Sequence, residues 1–180
     1  MHSRPHWPGA LADHRASAHA FAARVEGVPV SEWRLPRGAG KWSPAEESLH
    51  VRQVYDVLID ALHGGPGLRS RVPEWKAELI QLLALPLFLA AGRLPRGVRA
   101  PRAVAPDPVE ACAAGPAERA DELRRRAMEF EDALVAADGE GRTIALRHPY
   151  FGRLNGVKAL RFVALHTRHH LRQFTPLYRS

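Results

Sequence analysis

Three histidines are spaced so that they could bind one metal ion. His166 and His170 are four positions apart, so on a helix their side chains lie one turn apart on the same, mainly apolar face. On an earlier segment, His50 shares a stripe with Val54 and Val57. Neither stripe contains a carboxylate that could pair with a histidine. One divalent cation, such as Zn, Ni or Fe, satisfies three buried imidazoles at once.

The same histidines have a second interpretation, in which they are core residues bonded to backbone carbonyls. The two interpretations differ in chemistry. Three protein ligands leave a coordination position open, which is typical of reactive metal sites rather than of closed structural ones.

Three further residues are candidates for positions around this centre. His14 falls in the apolar stripe of the first predicted helix, as a group behind the ligands, a fourth ligand, or a buried histidine satisfied elsewhere. His169 flanks the pair and either hydrogen-bonds at its edge or is exposed. Gln173, one turn beyond His170, either orients a ligand or caps core contacts. No catalytic residue is assigned.

Helical periodicity dominates the chain, and no alternating strand pattern is found. The clearest helix start is at Ser43, which can act as the cap, with Pro44 at the first helical position and Glu46 completing a capping box. The predicted fold is an all-α four-helix bundle in a single domain over residues 1–180. Its four long helices span residues 8–25, 44–62, 116–139 and 155–174, with an accessory helix at 74–91, interrupted or bent at Pro86, and an extended crossover at about 92–116.

Composition narrows the function classes. The 180 residues carry a net charge of +7 and one cysteine, which excludes a disulfide framework and a multi-cysteine zinc site. From Gly141 to the end there are eight Lys or Arg and no acidic residue. This excess either attracts an anionic partner or is a solvated helix face. Aromatic residues are not interleaved with these arginines, so nucleic acid is not the expected partner.

No segment is typical of export or of membrane insertion. The first residues lack the apolar region of a signal peptide. The longest apolar run, 79–91, contains Gln81 and Pro86 and is shorter than the roughly 20 residues that a membrane span needs. We therefore expect a cytoplasmic protein with no membrane partner.

Three short motifs follow one another along the chain. They are Trp42-Ser43-Pro44-Ala45-Glu46 with His50 four residues later, His148-Pro149 with Phe151-Gly152, and the set His166, His170 and Gln173. In this order they resemble the DinB-like superfamily of metal-dependent proteins, over about residues 11–174. The resemblance implies an up-down-down-up bundle in which His50, His166 and His170 bind the metal and water fills the remaining coordination.

The resemblance also implies an activity. Some relatives are transferases or isomerases that use a low-molecular-weight thiol such as mycothiol or bacillithiol. The first hypothesis is therefore a metal-dependent enzyme that catalyses thiol transfer, or else hydrolysis, on a small-molecule substrate. The second is a non-catalytic bundle that binds an anionic partner through its basic last helix. The third is a bundle whose histidines are merely packed or whose metal is purely structural.

Self-association is a separate expectation. Bundles of this kind often pair through an exposed apolar helix face. The accessory helix offers such a face, and the sequence therefore predicts a homodimer that uses Leu79, Leu82, Leu83 and Leu87.

Overall fold

Four of the five long helices that the structure describes form the body of the molecule, and the fifth, over residues 74–91, packs on its side. The structure, a computed structural model, describes residues 7–95 and 97–174. Within them the helices are α1 (Trp7–Glu26), α2 (Pro44–Leu62), α3 (Glu74–Ala91), α4 (Pro108–Ala111), α5 (Pro116–Gly139) and α6 (Gly156–Leu171). Helix α1 packs against α5 and α6, and α2 packs mainly against α5. The predicted all-α fold is confirmed, whereas the up-down-down-up order of the helices stays a prediction.

The start of α2 is fixed by the predicted capping box. The Glu46 backbone N–H donates to Ser43 Oγ at 3.3 Å, and the Ser43 backbone N–H donates to Glu46 Oε2 at 2.8 Å. Pro44 occupies the first helical turn, where its missing N–H costs nothing. These contacts fix the first turn of α2. The side of the helix on which His50 lies is therefore determined by residues at the start of α2.

Helix α6 begins at an equally well-defined cap. Asn155 Oδ1 accepts the Lys158 backbone N–H at 2.9 Å. The helix ends at Leu171 and continues as a 3-10 turn over Arg172–Phe174. The predicted end near residue 174 therefore includes this tighter turn.

A small antiparallel hairpin precedes α6, although the sequence indicated no strand. Strand β1 (Leu146–His148) pairs with β2 (Gly152–Leu154), with Arg147 opposite Arg153. Three residues are too few for an alternating pattern to be recognised. Gly152 has a φ of +65°, and a Cβ there would lie 3.1 Å from Cβ of Ala77, so the turn and the approach of α3 both favour glycine.

The segment predicted to be an extended crossover at 92–116 is partly helical and packed. It contains a 3-10 turn at Arg102–Val104 and the short helix α4, whose cap Asp107 accepts two backbone N–H groups. Val104 is only 1% exposed, and both short elements lie against α2. The prediction that this whole segment is extended was wrong, because elements of three or four residues in Pro- and Ala-rich sequence carry no periodic signal.

Helix α3 leans on the bundle through few side chains. Only Ala77 and Leu85 are buried, and the helix contacts β2 and α6. Pro86 lies inside α3 and does not end it, so the predicted interruption is absent from the described helix.

No helix within residues 7–95 and 97–174 combines the length and the apolar character that crossing a membrane requires.

Candidate metal centre

Helices α2 and α6 bring His50, His166 and His170 together. The Nε2 atom of His166 lies 3.3 Å from Nε2 of His50 and 3.1 Å from Nε2 of His170. One ligand atom from each of the three lies within 4.8 Å of the others. His50 and His170 are buried and His166 is half-buried. The three imidazoles therefore converge on one point between the two helices.

The remaining nitrogens of two of these rings are hydrogen-bonded, which sets their tautomers. His50 Nδ1 lies 2.6 Å from the carbonyl oxygen of Val104. A carbonyl only accepts, so Nδ1 of His50 carries the proton and its Nε2 carries a lone pair. His170 Nδ1 is hydrogen-bonded to Glu47 Oε1, and the ionised carboxylate of Glu47 accepts this proton as the carbonyl does. Both Nε2 lone pairs therefore point towards His166.

This arrangement fits a cation better than it fits three imidazoles alone. Nε2 of a neutral His166 can donate at most one hydrogen, so one of its two Nε2 neighbours would face it without a proton between them. A tetrahedral zinc ion with Zn–N bonds of about 2.0–2.1 Å separates its nitrogen ligands by about 3.3–3.4 Å. The observed separations of 3.3 and 3.1 Å are close to that value.

Electrostatics keeps the rings neutral, as metal ligation requires. Burial lowers the pKa of His50, His166 and His170, and the neighbouring imidazoles lower those of His166 and His170 further. Burial also raises the pKa of Glu47 to about 7, against the opposing charge of Arg37. Three neutral imidazoles form a donor set typical of Zn, Ni or Fe sites, and Glu47 lies behind one of them.

An aromatic ring closes one side of the cluster. The ring of Trp42 lies 5.0 Å from that of His50 and stacks against His170 at 6.5 Å. Because Trp42 directly precedes the cap of α2, the capping motif also delivers this ring to the histidines. Such packing restricts the movement of both rings.

Comparison with known families agrees with this geometry. The sequence profile of the DinB superfamily matches residues 13–174.

The chain belongs to the DinB superfamily.

The match covers both α2 and α6, so the DinB assignment includes all three histidines. Comparisons with curated proteins and with solved structures return no match. The family assignment thus agrees with a metal-binding helical protein, and the activity has to be argued from the site itself.

Two groups that form hydrogen bonds with the three histidines were not predicted from the sequence. The expectation that no carboxylate shares their stripes was wrong, because Glu47 on α2 is 3% exposed and bonds His170. Glu47 precedes His50 by three residues, so helical spacing already placed both on one side. The Val104 carbonyl is a backbone group of the crossover, and no sequence pattern could have indicated it.

The first of the three candidate surrounding residues, His14, belongs to a different buried network. Its Nε2 accepts from the Tyr55 hydroxyl at 3.0 Å, and its Nδ1 donates to Glu131 Oε1 at 2.7 Å. Burial works to raise the pKa of Glu131, but the hydrogen bonds from His14 and Arg15 outweigh it and lower that pKa. Since both nitrogens of His14 are engaged, the structure does not bring it into the three-histidine cluster.

The other two candidates lie at the end of α6. The half-buried ring of His169 lies 5.3 Å from that of His170, at the edge of the site. Gln173 is exposed, and its backbone carbonyl accepts a hydrogen bond from Arg37. The exposed side chain of Gln173 is therefore not directed into the cluster, and its backbone anchors the loop residue Arg37 to the end of α6.

Proposed function

We propose that this chain is a metal-dependent enzyme in which His50, His166 and His170 hold one divalent cation, Zn, Ni or Fe. The observation that supports this most strongly is the convergence of three Nε2 atoms, two of them with tautomers set by Val104 and Glu47. Two merely packed histidines would not need their lone pairs aimed at a third.

The reaction we propose is the transfer of a low-molecular-weight thiol to a small electrophilic substrate, with hydrolysis as the alternative. A divalent cation in this site would supply a Lewis acid that lowers the pKa of a thiol or of water. Thiol transfer is preferred on the resemblance to thiol-dependent members of the family.

The chain's own residues contribute orientation and exclusion of water. Glu47 and the Val104 carbonyl hold the His170 and His50 rings by their Nδ1 protons, which fixes both rings in the ligating orientation. Trp42 covers the two rings. A rigid, partly dry site strengthens electrostatic interactions with a bound anion.

Metal analysis of the purified protein tests the proposal. We expect close to one equivalent of divalent metal in the wild type and a strong loss in the variant His50→Ala, His166→Ala, His170→Ala. The matched control is His19→Ala with His63→Ala, two exposed histidines outside the cluster, which retains the metal. Equal metal content in the wild type and the triple variant would contradict the proposal.

A second measurement separates an enzyme from a bundle with a structural metal. Wild-type protein is incubated with small thiols and an electrophile before and after chelation. Metal-dependent consumption of thiol supports transfer, and metal-dependent consumption of electrophile without thiol supports hydrolysis. If chelation lowers the melting temperature but alters neither reaction, the metal is structural and the proposed activity is wrong.

A further inference from the structure

Arg71, in the loop between α2 and α3, joins two segments that lie far apart in the chain. Its Nη1 donates to the backbone carbonyl of Arg99 at 3.2 Å, and its Nη2 donates to that of Ala100 at 3.3 Å. Nη1 also donates to the hydroxyl of Tyr150 at 3.1 Å, and the Arg71 backbone N–H donates to the carbonyl of Pro149 at 2.8 Å. Arg71 therefore ties the crossover to the turn of the β1–β2 hairpin.

The hairpin is well anchored at this contact. The side chain of Gln81 on α3 donates from Nε2 to the carbonyls of Phe151 and Arg153, at 2.6 and 2.8 Å. The imidazole of His148 lies 4.6 Å from the ring of Phe151 and 4.4 Å from that of Phe162 on α6. The hairpin is thus held by its own backbone pairing, by α3 and by α6.

The crossover, in contrast, approaches the metal centre without regular structure. The described residues of 92–101 form no helix or strand. They lead into the 3-10 turn that ends at Val104, where the Val104 N–H donates to the carbonyl of Pro101 at 3.0 Å. The two carbonyls that Arg71 binds directly precede this turn, so Arg71 fixes the point at which the turn begins.

The other end of the turn is attached to α2. Glu110 of α4 accepts a hydrogen bond from Arg52 Nη2 at 2.6 Å, and both α4 and the 3-10 turn pack against α2. Between these two attachments, the Val104 carbonyl oxygen lies 2.6 Å from Nδ1 of His50. The position of this carbonyl opposite His50 therefore depends on what holds each end.

We propose that Arg71 is a positioning residue of the metal centre: by fastening the crossover to the hairpin, it holds the Val104 carbonyl on the Nδ1 proton of His50. That hydrogen bond fixes the ring and the tautomer that direct the Nε2 lone pair of His50 at a metal. A guanidinium suits the role because its planar set of donors can bind several oxygens at once. The inference deepens the proposed function, and its metal-binding consequence rests on that function.

The test follows the Nδ1 proton of His50 in metal-free, full-length protein labelled with ¹⁵N in its histidine rings. A ring N–H held in a buried hydrogen bond gives a ¹H–¹⁵N cross-peak, and the one missing from His50→Gln belongs to His50. We expect this proton to exchange with water at least about tenfold faster in Arg71→Gln than in the wild type, because several hydrogen bonds of the crossover are lost. The Nδ1 proton of His170 is the internal control, because Glu47 of α2 holds it, and its exchange should not change.

Two further variants complete the comparison. Arg69→Gln changes an exposed arginine of the same loop and should leave both protons as they are in the wild type. Arg71→Lys keeps the charge but has one nitrogen in place of the planar guanidinium, so its exchange rate should lie between those of the wild type and Arg71→Gln. If Arg71→Gln fails to fold, Arg71→Lys decides the matter.

The affinity for Zn²⁺ connects this role to the proposed function. Groups that bond metal-binding histidines contribute roughly 10- to 100-fold in metal affinity. Arg71 acts through one such group, so we expect Arg71→Gln to raise the Kd for Zn²⁺ by about three- to tenfold and Arg69→Gln to leave it unchanged. Competition with a chromogenic chelator, under conditions where each metal-free protein is folded, measures it.

The outcomes separate this inference from the function. If the wild type binds no Zn²⁺, the proposed metal centre is wrong, and the His50 proton of the metal-free protein still decides the role of Arg71. Unchanged exchange of that proton in Arg71→Gln, or in Arg71→Lys if only that variant folds, would overturn the inference. Equal acceleration at His50 and His170 would also overturn it, because it would show a general loosening of the fold. A wild type that lacks the His50 cross-peak would do the same.

Discussion

Glu47 is the residue whose role behind the ligands is most directly testable. Its carboxylate accepts the Nδ1 proton of His170 in a hydrogen bond. Residues that bond metal-binding histidines in this way typically increase the metal affinity by roughly 10- to 100-fold. We expect Glu47→Ala to weaken Zn²⁺ binding by about that factor and Glu47→Gln to weaken it less, because the amide oxygen still accepts. Competition with a chromogenic chelator measures both.

The control for this change is Glu78→Ala, which removes an exposed carboxylate on α3. That variant should bind Zn²⁺ as the wild type does. Unchanged affinity in Glu47→Ala would show that the carboxylate does not position His170.

A second prediction at the scale of residues concerns His148 and the dependence of folding stability on pH. The backbone N–H groups of Tyr150 and Phe151 donate to its Nδ1 at 3.2 and 3.1 Å. Burial lowers its pKa to about 3, from 6.5. Between about pH 3 and pH 6.5 the imidazole of His148 binds a proton in the unfolded state but not in the folded state. The stability that neutral His148 contributes is therefore complete above about pH 6.5 and is lost as the pH falls.

The contribution of His148 to stability should therefore fall by about 1.4 kcal/mol between pH 7.5 and pH 5.5. Urea unfolding of the wild type and of His148→Gln at both pH values measures it. The variant should lose that much less stability on acidification than the wild type loses. Equal losses in the two proteins would show that His148 is not held neutral by the fold.

At the scale of elements, the long helices could be predicted and the short ones could not. The capping box at Ser43 and the cap at Asn155 are local chemistry, readable from a few residues, and both are present. The faces of α2 and α6 follow from the helical repeat, so the three histidines could be placed together in advance. The fold of the crossover depends on packing against α2, which no local pattern encodes.

Helix α3 is the element whose exposed face needs an explanation. Leu82 and Leu87 are 71% and 68% exposed, and Leu79 and Leu83 share the apolar surface. An exposed apolar helix face of this kind is typical of a surface that pairs with another chain. The homodimer expected from the sequence therefore stays a prediction, with α3 as its interface.

Sedimentation velocity tests that interface. We expect a dimer for the wild type and a monomer for Leu82→Glu with Leu87→Glu, because the carboxylates would be buried against apolar side chains. Val109→Glu, on a side chain 81% exposed in α4, should leave the dimer intact. A monomeric wild type would contradict the predicted homodimer.

At the scale of the whole molecule, the basic last quarter is less available than its composition indicated. Arg168 pairs with Asp13 at 2.6 Å, Arg153 pairs with Glu74 at 3.0 Å, and Lys158 contacts Gln81 at 2.5 Å. The two ion pairs neutralise part of the charge that was expected to attract an anionic partner, and the contact with Gln81 holds Lys158 in place. The alternative function as an anion-binding bundle stays a prediction, and the ion pairs show that part of this basic surface is paired within the chain.

The site is a property of the whole molecule because its parts come from distant segments. Helix α2 supplies His50 and Glu47, the crossover supplies the Val104 carbonyl, and α6 supplies the other two histidines. Sequence reasoning found the three histidines that the fold brings together, since their spacing is helical. The spacing of Glu47 and His50 could also have indicated the carboxylate, whereas the Val104 carbonyl meets His50 only in the folded chain.

X-ray absorption at the zinc K-edge of the loaded full-length protein tests the central claim most directly. The three converging Nε2 atoms predict a first shell with three imidazole nitrogens at about 2.0–2.1 Å. Replacing any one of the three histidines by alanine should remove one imidazole from that shell or abolish zinc binding. A first shell without imidazole in the wild type, or one that the three alanine variants leave unchanged, would contradict the account.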